Sequence, residues 1–298
     1  MPIEILMPFY GDPDVFHEAV RSVLAQEDPH WRLLVVDDCY PDYSPEQWLA
    51  DLADDRIGYV RNERNLGLNR SFQRCVDLAT HDWITIMGND DRLLPTYVGR
   101  VRAAIAAHPG AALVQPGVEV IDAAGRVTLP LADRIKAHYR PDVTTTTVLG
   151  GEDLTRSLLR GNWAYFPSIC WRRELVAAHG FDPELGVVLD LALMLDLIAD
   201  GGTMVLDPVP SFQYRRHEGS VSAWTAQDGS RFVEEKTVLL RAAATVEALG
   251  WKRAGRAARW HLSSRLNAMT RLPAALRSGR RVDVRSLLRH VFSNRLPA

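Results

Sequence analysis

The chain has 298 residues, 47% hydrophobic and 24% charged, which suits one large α/β domain with an extension, or two modest domains, and excludes wholesale disorder. Three cysteines, Cys39, Cys75 and Cys170, without CxxC spacing, exclude a disulfide framework and favour a reducing, cytoplasmic setting. The net charge of -2 hides an asymmetry: residues 251–298 hold 12 Lys and Arg against one acid, Asp283, whereas the first 250 carry 23 basic and 36 acidic residues.

The opening IEILMPFY reads as a strand closed by Gly11, Asp12 and Pro13, and VFHEAVRSVLAQ follows with helical apolar spacing. This start lacks the basic and apolar regions of a secretory signal. WRLLVVDD is a β-rich run ending in two acids, suited to a strand buried on both faces. PEQWLADLA, IGYVRN, LNRSFQRCVDLAT and DWITIMGNDD continue as helix, strand, helix and a strand ending in acids. Such alternation predicts a mainly parallel sheet wrapped by helices, with ligands at the carboxyl ends of its strands.

A helix is expected from Pro95, then two strands, ALVQPGVEVID and AAGRVTL, around an Ala-Gly turn. Residues 130–150 lack periodicity and read as a loop. EDLTRSLLRG is helical, SICWRRELVAAHG is a strand leading into a helix, and VVLDLALMLDLIADGG is a helix stopped by glycines. VLDPVPSFQYRRH is extended, and from about 230 the pattern is helical and increasingly basic. No stretch reaches the roughly 20 apolar residues of a membrane-spanning helix, because Asp190 and Asp196 break the longest apolar tract. A soluble protein is expected.

Four stretches carry chemistry. In ITIMGNDDRLLP an apolar strand delivers Asn89, Asp90 and Asp91 to a turn, where hard carboxylate oxygens suit Mg2+ or Mn2+ bridging two phosphates; the plainer reading is a solvated turn with an N-cap aspartate. Asp37 and Asp38 repeat the theme one strand earlier, suited to a ribose or base edge, or to capping a helix. Asp190 interrupts an apolar run, where a carboxylate is costly without a partner or a task and where burial tunes a general base. Asp196 better fits a surface position. QYRRHEGSVS brings Tyr214, Arg215, Arg216, His217, Ser220 and Ser222 together, an imidazole for a metal and arginines and hydroxyls for phosphate oxygens.

Together and in this order, across residues 1–225, these stretches resemble the inverting family 2 glycosyltransferases of the GT-A fold. The resemblance implies that Pro8 and Tyr10 border the nucleotide base, that Asp37 or Asp38 contacts base or ribose, and that Asn65 and Gly67 lie near the nucleotide. Where the family motif reads D-x-D-D, this chain has Gly88-Asn89-Asp90-Asp91, so Asp90 inherits the metal-ligand role with Asp91 as helper and Asn89 beside the donor. Asp190 matches the family base, with Leu189 in place of the preceding glutamate. Tyr214, Arg215, His217, Ser220 and Ser222 meet the pattern YR-x-H-x-x-S-x-S, which implies that His217 reaches the metal or diphosphate and that Arg215 and the serines hold the donor.

The implied architecture is a GT-A catalytic domain at 1–228, its nucleotide-binding half about 1–115 and its acceptor half about 116–228, followed by a basic helical extension at 229–298. The implied activity is transfer from a nucleotide sugar, UDP favoured, to a hydroxyl of a small-molecule, lipid-linked or glycan acceptor, with inversion. Nucleic acid is not among the expected partners. A sugar-phosphate nucleotidyltransferase is the competing enzyme, but FYGDPDVF offers no basic Gly-rich loop; an NAD-dependent dehydrogenase lacks G-x-G-x-x-G after the first strand. A silent nucleotide-sugar scaffold is the third reading. The tail is expected to pack on the acidic body, the alternatives being a homodimer contact or peripheral attachment to the inner face of a membrane.

Overall fold

The computed structural model describes residues 1–217, 230–278 and 281–293. Its first half alternates strand and helix: β1 (Ile3–Phe9), α1 (Pro13–Leu24), β2 (Trp31–Asp37), α2 (Glu46–Asp51), β3 (Ile57–Arg61), α3 (Leu68–Leu78), β4 (Trp83–Ile86), β5 (Arg92–Leu93), α4 (Tyr97–Ala107) and β6 (Leu113–Ile121). Then come α5 (Leu131–Tyr139), β7 (Thr147–Gly150), α6 (Gly151–Gly161), β8 (Cys170–Arg172), α7 (Arg173–His179), α8 (Leu189–Ala199) and β9 (Thr203–Arg215). The extension is helical: α9 (Ser230–Ala248), α10 (Lys252–Trp260), α11 (Leu262–Ser278) and α12 (Arg281–Phe292).

Nine strands form one sheet in the order β3-β2-β1-β4-β8-β6-β9-β5, with β7 also on β9. The β3-β2-β1-β4 segment is parallel throughout. Beyond it the sheet is mixed, because the short strand β8 is antiparallel to both β4 and β6, while β6 and β9 are parallel. Two reversals restore the original direction, so the carboxyl ends of β1, β2, β4 and β9 reach the same rim.

The continuous apolar runs of β1 and β2 exist because both faces are covered. Leu6, Leu34, Val36, Ile84 and Ile86 enter one core with α6 and α8, while Ile5, Met7, Leu33, Val35 and Phe9 enter a second with α1 and α4. The strand period of two sends alternate residues to opposite cores.

Residues 130–150 are not a loop: they form α5 and β7. The helical signal is weak because the side chain of α5 that is buried is the charged Asp133, while Leu131 and Ile135 are exposed. Of the strand expected in AAGRVTL, only a single bridge from Ile121 to Val127 forms.

The extension packs on the body. Val238, Leu239, Ala242, Ala243 and Val246 of α9, with Ala254 and Ala258 of α10, join the core that holds α8. Its basic charge meets the acidic body directly, through Arg241 to Asp182 and Arg253 to Glu152 and Asp153. Phe232, Ala268, Ala275, Leu287 and Val291 form a separate small core under α11 and α12. Among the described residues no helix is long and apolar enough to cross a membrane.

Candidate active site

The shared rim opens into a cleft of about 530 Å³. Strand β1 ends there with Pro8 and Tyr10, and the half-exposed Tyr10 ring stands edge-on to Tyr40 with centroids 5.0 Å apart. An aromatic edge with open space beside it can border a planar base.

The two acids after β2 part company. Asp38 lines the cleft, its Oδ1 accepting from Asn62 Nδ2 at 2.9 Å and Leu66 N at 2.8 Å, and its Oδ2 from Gly67 N at 3.0 Å. Asp37 faces away from it, its carboxylate accepting from Tyr40 N, the Tyr59 hydroxyl and Arg61. Of the pair, only Asp38 reaches the cleft. Asn65 and Gly67 line it as well, with Asn65 Oδ1 accepting from Gly67 N at 2.8 Å. Gly67 has φ of +79°, a conformation that costs a side-chain-bearing residue energy.

After β4, Gly88 is followed by Asn89, Asp90 and Asp91, all on the cleft wall. A Cβ at Gly88 would lie 2.6 Å from Asp91 Oδ2 and 2.8 Å from Asp90 Oδ1, so the two carboxylates fold back over the glycine and would have to shift to admit a side chain. Asp91 is buried and its Oδ1 accepts from Arg215 N at 2.9 Å. Burial and the neighbouring Asp90 charge push its pKa well above the usual carboxylate range. Asp90 Oδ2 lies 2.7 Å from His217 Nε2. That hydrogen bond to Asp90 raises the imidazole's pKa against the opposing effect of burial.

Arg215, read from sequence as a donor ligand, is only 3% exposed and its guanidinium is already spent. Nε donates to the Asp90 carbonyl at 2.6 Å, Nη1 to the Ala123 carbonyl at 3.0 Å, and Nη2 to Glu18. It fastens β9 to the acidic turn, and Asp91 completes the clasp. Ser220 and Ser222 lie outside the described residues.

Asp190 opens α8 and lines the same cleft. Burial raises its pKa, against backbone hydrogen bonding and the charges of Lys136 and Arg231. The loop before it is held from the extension: Glu234 Oε2 accepts from Gly186 N and Val187 N, each at 2.9 Å. Arg231, at the start of α9, lines the cleft too.

Sequence reasoning missed Asp133, Lys136, Asn162 and Tyr165. Asp133 is buried and accepts from Arg216 Nε at 2.6 Å, Arg216 Nη2 at 2.7 Å and the Tyr165 hydroxyl at 2.8 Å. This pins the residue immediately before His217. Lys136 lies inside the cleft wall, and burial, then the charges of Arg216 and Arg231, lower its pKa to about 8. Asn162 lines the cleft in a left-handed conformation, φ +39°, with Oδ1 buried and without a partner among the described residues. It is the C-cap of α6, a position where asparagine tolerates the left-handed conformation better than most residues.

Among the described residues no cluster of three or more His, Cys, Asp or Glu side chains forms a protein-only metal cage. The carboxylate of Asp90 and the imidazole of His217 do form an adjacent, partly exposed pair of donors. Two protein donors fit a hard divalent cation that takes its remaining oxygens from a diphosphate and water.

A sheet flanked by helices, with acids from several strand ends converging on one rim, defines a GT-A-type α/β protein. The chain belongs to glycosyl transferase family 2, whose sequence model matches residues 4–170. The succinoglycan biosynthesis protein ExoO of Rhizobium meliloti (strain 1021) is 28% identical over 222 residues, 74% of this chain and 62% of ExoO. The chain thus spans less than two thirds of that relative. Two solved structures share the fold: S. aureus TarS 1–349 in complex with UDP-GlcNAc, at TM-score 0.64, 13% identity, 98% of this chain and 90% of that one, and the Pyrobaculum calidifontis mannosyltransferase PcManGT in complex with GDP-Man and Mn2+, at 0.60, 15%, 96% and 78%.

Proposed function

We propose that the protein transfers a sugar from a nucleoside diphosphate, UDP in the first instance, to an acceptor hydroxyl with inversion at the anomeric carbon. One observation carries the reading: Asp38, Asp90, Asp190 and His217, drawn from distant parts of the sequence, line a single cleft. The TarS complex holds a uridine nucleotide sugar, and membership of family 2 supports glycosyl transfer.

In this reading Tyr10, Pro8, Asp38, Asn65 and Gly67 receive the base and ribose, and Asn89 borders the donor. Asp90 and His217 would hold Mg2+ or Mn2+, which supplies positive charge opposite the departing diphosphate. Asp91 and Arg215 position that pair through the clasp between β4 and β9. Asp190 accepts the proton of the acceptor hydroxyl; a carboxylate whose pKa is raised by desolvation is a stronger base than a fully hydrated one. Attack on the face opposite the diphosphate gives inversion in one displacement. The donor half is about 1–115, the acceptor half about 116–228, and α9 adds Arg231 to the wall while Glu234 holds the loop at Gly186 and Val187.

The exposed face of α11 and α12 is, in the same reading, a peripheral contact with an anionic membrane. Leu266, Leu276 and Phe292 are exposed there among Arg277, Arg285 and Arg289, a combination that combines apolar insertion with charge attraction.

Incubation of the purified chain with UDP-, GDP- and dTDP-sugars, with and without Mn2+, tests the activity. Cation-dependent hydrolysis or transfer from at least one donor is expected. No turnover of any donor, together with no UDP affinity, overturns the reading.

A further inference from the structure

A second cavity of about 410 Å³ adjoins the cleft, and Lys136 and Tyr165 line both. Its walls are apolar at Val118, Val120 and Trp163, yet Arg140 at the end of α5 lines it too. Arg140 Nε and Nη2 are buried without a hydrogen-bond partner among the described residues. Burying guanidinium N–H groups without acceptors costs more than an ordinary hydrogen bond contributes. Facing a cavity, these N–H groups are available to acceptor oxygens of a ligand.

The other charged groups of the cavity are mostly satisfied. Asp133 is taken by Arg216 and Tyr165, and Glu119 Oε2 accepts from Gln213 Nε2 at 2.9 Å. Among the described residues Lys136 forms no direct ion pair, although the charges of Asp190 and Asp133 act on it: its Nζ makes a long 3.4 Å contact with the Ala164 carbonyl and stands 4.7 Å from the Tyr165 ring centroid. A planar guanidinium fork matches two oxygens of a carboxylate or phosphate, and a nearby ammonium adds a point charge.

We propose that this cavity is an acceptor subsite for an anionic group, a carboxylate or phosphate gripped by Arg140 and Lys136 while the acceptor hydroxyl lies toward Asp190. The subsite rests on the donor-cleft reading, since it selects which acceptor is offered to Asp190. A uronic acid and a phosphate-bearing acceptor present the same chemistry to the fork.

Titration calorimetry on the full chain, with and without UDP and Mn2+, tests the subsite using phenyl β-glucoside, phenyl β-glucuronide and phenyl phosphate. The glucuronide or the phosphate is expected to bind about tenfold more tightly than the neutral glucoside, and whichever prevails identifies the source of the anion. Arg140→Gln is expected to erase the preference while UDP affinity stays unchanged, and Arg140→Lys, which keeps charge but not the fork, to reduce it severalfold. In the unsubstituted chain the preference should also shrink in about 0.5 M NaCl. Equal binding of charged and neutral glycosides, or a preference that survives in every folded Arg140 variant, overturns the subsite. Anion preference without UDP affinity sinks the donor reading alone; UDP affinity without anion preference sinks the subsite alone.

Discussion

His217 Nε2 and Asp90 Oδ2 stand 2.7 Å apart although 127 residues separate them in the chain. The contact exists because β9 runs back along the rim to the turn after β4, where Arg215 and Asp91 lock it in place. Removing the imidazole leaves a single protein donor. His217→Ala is therefore expected to weaken Mn2+-dependent UDP binding by at least about tenfold to a hundredfold, since even loss of a group that only supports a metal ligand costs that much, while metal-free UDP binding changes little. Calorimetry with and without Mn2+ checks the difference.

Asp190 links activity to pH. Its pKa is raised by burial, so the acid limb of kcat should lie above the ordinary aspartate range, and activity should fall as pH drops through that limb. The stability effect has the opposite sign: a folded-state pKa above the unfolded one stabilises at low pH, and that contribution is lost as pH rises through the folded value. Asp190→Asn should lower kcat by roughly 10² to 10⁴, leave UDP affinity intact and raise the melting temperature at neutral pH. The gain should vanish below about pH 4, where aspartate is protonated in both states. Parallel loss of UDP affinity and melting temperature would make Asp190 structural.

The parallel half of the fold was legible because apolar strands, capped helices and acids at strand ends repeat in order. The place of three further residues in the cleft was legible on separate signals: Asp190 interrupts an apolar run, Asp90 ends a strand, and His217 stands among arginines and hydroxyls. The choice between Asp37 and Asp38 was not, since adjacent residues at a strand end point to opposite sides and nothing local says which meets the ligand. The clasp made by Arg215 was not legible, because its five partners come from Glu18, the turn at Asp90–Asp91 and the turn at Asp122–Ala123. Asp133 escaped notice because its partners, Tyr165 and Arg216, lie 32 and 83 residues away.

The Asp133–Arg216 pair sets the position of His217 from behind. Asp133 is fully enclosed while Arg216 keeps 28% of its side chain exposed, so removing the acid strands a largely buried cation. Asp133→Ala should cost roughly 3 kcal/mol and lower Mn2+-dependent UDP affinity along with the melting temperature. Tyr165→Phe, which removes one hydrogen bond to the same carboxylate, should cost about 1 kcal/mol. Thermal denaturation of the two variants ranks the effects.

The membrane contact is open to direct test. The full chain should float with vesicles containing anionic lipid at low salt and dissociate when salt screens the arginines. Leu276→Ser with Phe292→Ser should reduce flotation severalfold without lowering donor hydrolysis, because neither residue touches the cleft. A salt-independent dimer in sedimentation, with no flotation, would assign the face to a second copy of the chain.

Gly88 shows how closely backbone and chemistry are fitted. Its Cα leaves no room for a methyl group, which would meet Asp91 Oδ2 at 2.6 Å and Asp90 Oδ1 at 2.8 Å. Asp91 is buried and fixed through Oδ1 to Arg215 N, so relieving both contacts shifts the whole turn and carries Asp90 with it. Gly88→Ala should therefore lower Mn2+-dependent UDP affinity about tenfold or more, in line with the sensitivity of catalytic geometry to shifts of about 1 Å. The damage should be local, with most of the parallel sheet and its melting temperature retained. A variant with full metal dependence would show that the turn can relax and that Asp90 is not held by the contact inferred here.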